Sequence, residues 1–183
     1  RNNLKNLENT IKKFNLKIKK IVSKNFIEGV ELIDKNPSLE SFFKVQINKN
    51  FSQVLFFEKS AIKFIQNFNF GTNIIINDIA KVTALKVEII EKIIHNLNFS
   101  EKQFTNEILE KEFFEENNFR KIEKKLILDI ASARIEELSE ILLMKNINVS
   151  TFKKQKNPIF LFIDEKIIKK FFFKVFKIFF SNK

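Results

Sequence analysis

The spacing of the apolar residues changes at residue 42, and this change limits the fold more than any other feature of the chain. Upstream the period is helical: Leu4, Leu7, Ile11 and Phe14 recur every three or four residues, as do Phe26, Ile27, Val30 and Ile33. From Phe42 to Phe57 the period is two. Phe43, Val45 and Ile47 alternate with their neighbours, a polar break falls at Asn48–Asn50, and the run Val54–Phe57 follows. A second turn near Glu58–Ser60 leads to a short extended piece over 60–64. Helical spacing then resumes, and one further strand, IFLFI at 159–163, follows Pro158. A meander set between helices, with a late extra strand, predicts an α/β chain with an antiparallel-plus-parallel sheet.

Four segments follow from this pattern. Residues 1–41 hold a helix ending at Asn15, a strand-like stretch over 16–22, and a helix broken by Asn36-Pro37. Residues 42–78 are the meander, with Gly71 as a backbone position that needs glycine. Residues 79–145 form a helical subdomain. Its first helix is predicted over 74–97, with Ile75, Ile79, Val82, Val87, Ile90 and Ile94 on one side. Ser100 and Gln103 read as a capping box opening an acidic helix over 101–116. The longest helix is predicted over 119–144, with Ile122, Leu126, Ile130, Ala133, Leu138, Ile141 and Leu142 facing one way. Residues 146–183 hold a loop over 146–151, the late strand and a basic, Phe-rich end.

Composition removes several kinds of chemistry. There is no cysteine, so disulfides, thiolate metal sites and cysteine nucleophiles are excluded, and His95, the one histidine, disfavours a zinc site and reads as a surface or helix-end residue. No Walker loop, GxSxG or Ser-His-Asp arrangement occurs. The acidic group Glu107, Glu110, Glu112, Glu115 and Glu116 lacks the spacing of a calcium loop and reads as a solvated helix face. No run of eighteen apolar residues is free of charge. The chain opens on Arg1, which reads as a fragment or a trimmed chain.

The net charge of +11 sits mostly at the two ends. Residues 1–24 carry eight basic side chains and one acidic, and residues 144–183 carry ten and two. Residues 101–143 carry seven basic and eleven acidic. This pattern admits nucleic acid, an anionic membrane or an acidic partner. Residues 78–94 also read as a helix-turn-helix, with 87–94 as the second helix. That helix would offer Ile89, Ile90, Ile93 and Ile94 to base edges, and such residues favour burial, so nucleic acid is disfavoured as a partner. At the end of the chain Lys166, Lys169, Lys170, Lys174 and Lys177 share one helical side and apolar residues fill the rest. The pattern suits a helix lying in a membrane interface, and equally a buried helix or strand.

Several stretches resemble the FtsA family of actin-like cell-division proteins. Val45-Gln46-Ile47-Asn48-Lys49-Asn50-Phe51-Ser52 resembles the phosphate hairpin V-D-I-G-G-G-T-T of actin-like ATPases. Residues 54–57, 58–60 and 61–64 resemble the strand, turn and strand that follow it, and 16–32 the helix that precedes it. Gly71-Thr72-Asn73-Ile74-Ile75-Ile76-Asn77-Asp78-Ile79-Ala80 resembles the FtsA stretch G-G-x-x-[IV]-T-N-D-I-A, the most specific part of the match. Ala131–Leu138 resembles the helix I-x-x-R-x-E-E-[IL]. The resemblance runs over about residues 7–142.

It implies an actin-like (ribonuclease H-like) lobe with a mixed sheet and a helical subdomain, incomplete relative to the family. It implies self-association and contact with the tubulin-like division protein FtsZ, in the cytoplasm at the inner face of the cell membrane. It also implies a nucleotide pocket at Gln46, Asn48, Lys49, Asn50, Ser52, Gly71 and Glu91, and that pocket is degenerate. Gln46 and Gln53 stand where the family has aspartates, the natural magnesium ligands. Asn48, Lys49 and Asn50 replace the glycines that let backbone N–H groups close on phosphate. Ile94 replaces a lysine beside Glu91. The expectation is a division scaffold without ATPase activity and without a tightly held cofactor, binding ATP and magnesium weakly at most. The alternatives are an ATP-binding actin-like assembly protein and a helix-turn-helix DNA-binding regulator.

Overall fold

A computed structural model describes residues 2–96, 107–114, 119–143, 157–164 and 166–181. Two helices come first, α1 (Asn2–Lys12) and α2 (Lys24–Lys35). The helical stop at Asn15 is a residue with φ 56, in the left-handed region where asparagine is tolerated. Ser23 caps α2, its Oγ accepting from the Phe26 N–H at 3.2 Å. The meander is β1 (Ser41–Ile47), β2 (Ser52–Glu58) and β3 (Ala61–Phe68), followed by α3 (Asn73–Thr83) and α4 (Val87–Asn96). A short 3-10 turn, Lys111–Phe113, precedes α5 (Lys124–Leu143), β4 (Ile159–Ile163) and α6 (Lys166–Ser181).

The strands form one mixed sheet in the order β3-β2-β1-β4. β1 pairs antiparallel with β2, Val45 opposite Val54, and parallel with β4, Val45 opposite Leu161. Alternation along the pleat then sorts the side chains by face. Phe43, Val45, Ile47, Val54 and Phe56 join the large core with α3, α4, α5 and α6. Phe42, Leu55 and Phe57 form a second, smaller cluster with Leu32 and Ile33 of α2, and the Phe42 and Phe57 rings stack at 4.8 Å. β1 and β2 are buried on both faces, whereas β3 keeps a half-exposed alternation at the sheet edge.

The structure corrects several expectations. Residues 16–22 form neither helix nor strand; Leu16, Ile21 and Val22 are exposed, and no neighbouring strand satisfies their backbone groups. The helix predicted over 74–97 is two helices. Ala84 adopts φ 49 and ends α3, and Arg120 Nη2 donates to its carbonyl at 2.9 Å. Val82 near the end of α3 and Val87 at the start of α4 are exposed, and Ile93 of α4 is buried together with Ile90 and Ile94. β3 runs four residues beyond its predicted end.

The apolar face of α5 also differs from its prediction. Ile127, Ala131, Ile135, Leu138, Leu142 and Leu143 are buried, while Leu126 and Ala133 are exposed. Leu126, Ile127, Leu128 and Ile130 are all apolar, so the sequence offers two faces, and packing against α3 and α6 chooses one. Ile122 is buried outside the helix. The capping box at Ser100 and Gln103, the loop over 146–151, and Glu115 and Glu116 lie outside the described residues.

The acids at 107 and 110 are not on a helix. The Leu109 N–H donates to the Ile122 carbonyl at 2.8 Å, and Glu107 and Glu110 both reach Lys124 Nζ, at 3.2 and 2.6 Å. The hydrogen bond from Lys124 is the main cause that lowers the Glu110 pKa, and the reciprocal bond raises that of Lys124. Lys124→Met is expected to cost about 0.5–1 kcal/mol, because the acids are half exposed and screened. Amide hydrogen exchange should show the change first at Leu109; unchanged protection there would contradict this.

The last helix buries Phe171, Phe172, Val175 and Phe176 against the core. Four residues of the face that the membrane reading assigned to lipid are therefore packed inside the fold, while Ile178 of that face is exposed. No helix among the described residues is long and apolar enough to cross a membrane.

Candidate functional site

The β1–β2 turn and the start of α3 meet at one end of the sheet, and the predicted pocket residues converge there. The Asn48 N–H donates to the Phe51 carbonyl at 2.9 Å and closes the turn. The Thr72 and Asn73 N–H groups, which begin α3, donate to the carbonyls of Asn48 and Lys49 at 3.0 and 2.9 Å. Helix-starting N–H groups are the natural donors for an anion. Here the turn itself occupies them.

Gly71 makes this contact possible. Its φ is not positive, so the reason for glycine is space rather than a left-handed backbone. A Cβ at Gly71 would lie 2.0 Å from the Asn48 carbonyl oxygen. Asn50 Oδ1 accepts from Asn73 Nδ2 at 2.5 Å, and Ser52 Oγ, fully buried, donates to the Phe70 carbonyl at 2.8 Å. Lys49 and Glu91, forty-two residues apart, form an ion pair at 3.3 Å across the mouth of the turn.

Gln46 points to the α2 side of the sheet. Its Nε2 donates to Asn48 Oδ1 at 3.2 Å, and its Oε1 lies 3.5 Å from Lys44 Nζ. Asn48 is 6% exposed, and its Nδ2 is buried with no hydrogen-bond partner. Gln53 accepts from Asn25 at 2.7 Å and donates to Asn67 at 2.6 Å. Gln46 and Gln53 are thus linked in a chain through Lys44 and through Asn25 of α2.

Lys44, which the sequence reading missed, is at the centre of this chain. It is 1% exposed, pairs with Glu28 of α2, contacts Asn25 Oδ1 at 3.4 Å and stands over the Phe162 ring at 5.2 Å. The available signal was Phe42: an apolar residue on the even positions of β1 shows that this face is covered too. Burial pushes the Glu28 carboxyl pKa up. The Lys44 hydrogen bond and charge, with help from Lys24, outweigh it and hold the carboxyl below its ordinary value.

Other predicted residues fall outside this cluster. Ile94 is buried in the core. So are Ile90 and Ile93, so this face of α4 cannot read base edges. His95 is exposed in the last turn of α4. Asp78 pairs with Arg134, which also binds Glu137 at 2.6 Å. The Asp78–Arg134 ion pair joins α3 to α5.

The cluster offers cations and amides but little else. Glu91 is its acid at the mouth of the turn, and Lys49 already holds it. Among the described residues no group of three His, Asp or Glu side chains could hold a metal ion. Lys44, Lys49 and the free amide of Asn48 could meet an anion, but the turn must first release the Lys49–Glu91 pair.

No protein family and no curated protein matches this chain in sequence. Solved structures do match in shape. The ethanolamine utilization protein EutJ from Carboxydothermus hydrogenoformans is 14% identical with a TM-score of 0.51, over 79% of this chain and 43% of that one. MreB 5 of Spiroplasma citri bound to AMPPNP is 14% identical with a TM-score of 0.50, over 85% of this chain and 59% of that one. The chain thus spans about half the length of the solved proteins it matches. Likeness at this identity speaks for fold alone. The mixed sheet, the flanking helices and this likeness together make the chain an actin-like α/β fold that covers part of such a molecule.

Proposed function

We propose that this chain belongs to an actin-like assembly protein that acts as a scaffold, with its phosphate hairpin kept as architecture. One observation carries the reading. The polar groups around the turn are bonded to one another, from the α3 N–H groups on Asn48 and Lys49 to the Lys49–Glu91 pair. A site in that state is closed to phosphate. With Gln46 and Gln53 in place of carboxylates it also lacks magnesium ligands, so ATP hydrolysis is not part of the role. The resemblance to FtsA supports the finer form of the proposal: a division scaffold that associates with itself and with an FtsZ-type polymer, at the inner face of the cell membrane.

The second reading is an actin-like assembly protein that still binds ATP, and the orphaned amide of Asn48 favours it. A buried donor without a partner costs about 1–3 kcal/mol, which a ligand could recover. Calorimetry with ATP, with and without magnesium, separates the two readings. The scaffold predicts no binding in either buffer. Binding that Glu91→Ala strengthens, by releasing Lys49, would instead establish the ATP-binding form.

A further inference from the structure

We propose that the outer edge of β4 and the groove beside it are a docking site for an extended, acidic segment of a partner protein, which joins the sheet as its next strand. This goes beyond the scaffold reading by naming a surface that would hold a partner. β4 ends the sheet order β3-β2-β1-β4. The Phe43 N–H donates to the Pro158 carbonyl at 2.9 Å, and the Asp164 N–H donates to the Ile47 carbonyl at 3.2 Å. A strand bonds one neighbour through every second residue, so Phe160 and Phe162 also serve β1. The main-chain groups of Ile159, Leu161 and Ile163 therefore point away from β1, where the described residues supply no further strand. Such an edge is a template for pairing. The opposite edge is protected: β3 carries Lys63, and a bulge interrupts its register with β2. β4 has neither a charge nor a bulge.

Shape and charge select the occupant. Toward the start of β4 an open groove of about 640 Å³ lies between the strand and α6. Ile159, Leu161, Phe173 and Phe176 line it, and the Phe173 ring is 38% exposed. Every second side chain of an added strand would enter this groove, because successive side chains alternate between the two faces of a sheet. Lys174 and Lys177 border it, and among the described residues no acid lines it, so acidic side chains suit the rim. Phosphodiesters of lipid or nucleic acid could meet the lysines, but they have no N–H for the edge carbonyls. A second copy fits less well. Its stretch without strand partners, 16–22, carries Lys17, Lys19 and Lys20, which would meet Lys174 and Lys177 as like charges.

The test is fluorescence anisotropy of the full chain with a labelled heptapeptide of alternating glutamate and valine. Saturable binding is expected, weakening as salt rises. Lysine in place of glutamate should abolish it. N-methylation of one alternate set of peptide amides should weaken binding at least about tenfold, through lost edge hydrogen bonds, while methylation of the other set should not. Lys174→Glu with Lys177→Glu should weaken it about tenfold or more. Phe173→Ala should do the same with little change in the thermal unfolding midpoint, because that ring is partly in solvent. No binding of the glutamate–valine peptide would overturn the proposal. So would equal binding of the lysine peptide, equal binding of both methylated peptides, or wild-type binding by both variants. A dimer in peptide-free buffer that Phe173→Ala dissolves would assign the groove to a second copy, and the proposal would fail.

Discussion

Gly71→Ala should lower stability by about 4 kcal/mol, the sum of strain of about 1–3 kcal/mol from overpacking and about 1 kcal/mol for each of the two hydrogen bonds it breaks. The added Cβ would sit 2.0 Å from the Asn48 oxygen and 2.7 Å from the Lys49 carbonyl carbon and oxygen. All three are main-chain atoms, so no rotamer relieves the contact. The β1–β2 turn must move away from α3, and the Thr72–Asn48 and Asn73–Lys49 bonds go with it. Gly29 provides the control. There a Cβ would lie 2.0 Å from Cζ of Phe57, which is a side-chain atom. Gly29→Ala should therefore be rescued in part by Phe57→Leu, whereas no side-chain change at 48 or 49 should rescue Gly71→Ala. Urea unfolding of the four variants tests this. Gly71→Ala at wild-type stability would mean that the turn does not pack on α3.

Glu28→Gln should cost more than Lys44→Met, although both remove the same ion pair. Lys44 is 1% exposed and Glu28 is 28% exposed. Without Glu28 a buried ammonium loses its counter-ion, which costs about 3–5 kcal/mol in such sites. Without Lys44 the carboxylate turns to water, and a methionine of similar length fills the space beside Phe162 at a cost of about 1 kcal/mol or less. Acid should produce part of the same effect. The Glu28 pKa is lowered in the folded state, so its contribution is present above the unfolded value and is lost as pH falls through the folded value. The wild-type chain should thus lose stability below about pH 4, near the ordinary glutamate range, with a slope that Glu28→Gln reduces. Equal costs for the two substitutions would show that Lys44 is solvated after all.

Much of this architecture was legible in the residues. Period-two spacing over 42–57 marked β1 and β2 with their turn, Pro158 marked β4, and Asn15 and Asn36-Pro37 marked helix ends. These signals are local: a turn residue or a two-residue alternation acts through the backbone nearby. The positions around the β1–β2 turn could be listed from resemblance, but their bonds to one another could not. Lys49 and Glu91, or Asn25 and Gln53, meet because separate elements approach the same end of the sheet.

The sequence alone thus determined the α/β class, the strand–turn–strand unit and the presence of amides rather than carboxylates at 46 and 53. The tertiary structure decided which face of α5 is buried, that α3 and α4 separate at Ala84, and that Lys44 lies inside. It also decided that α6 is core while α1 is open. The reason is the same in each case. A helix with apolar residues on most sides, or a lysine within a strand, has several local solutions of similar energy, and only the surfaces that pack against it separate them.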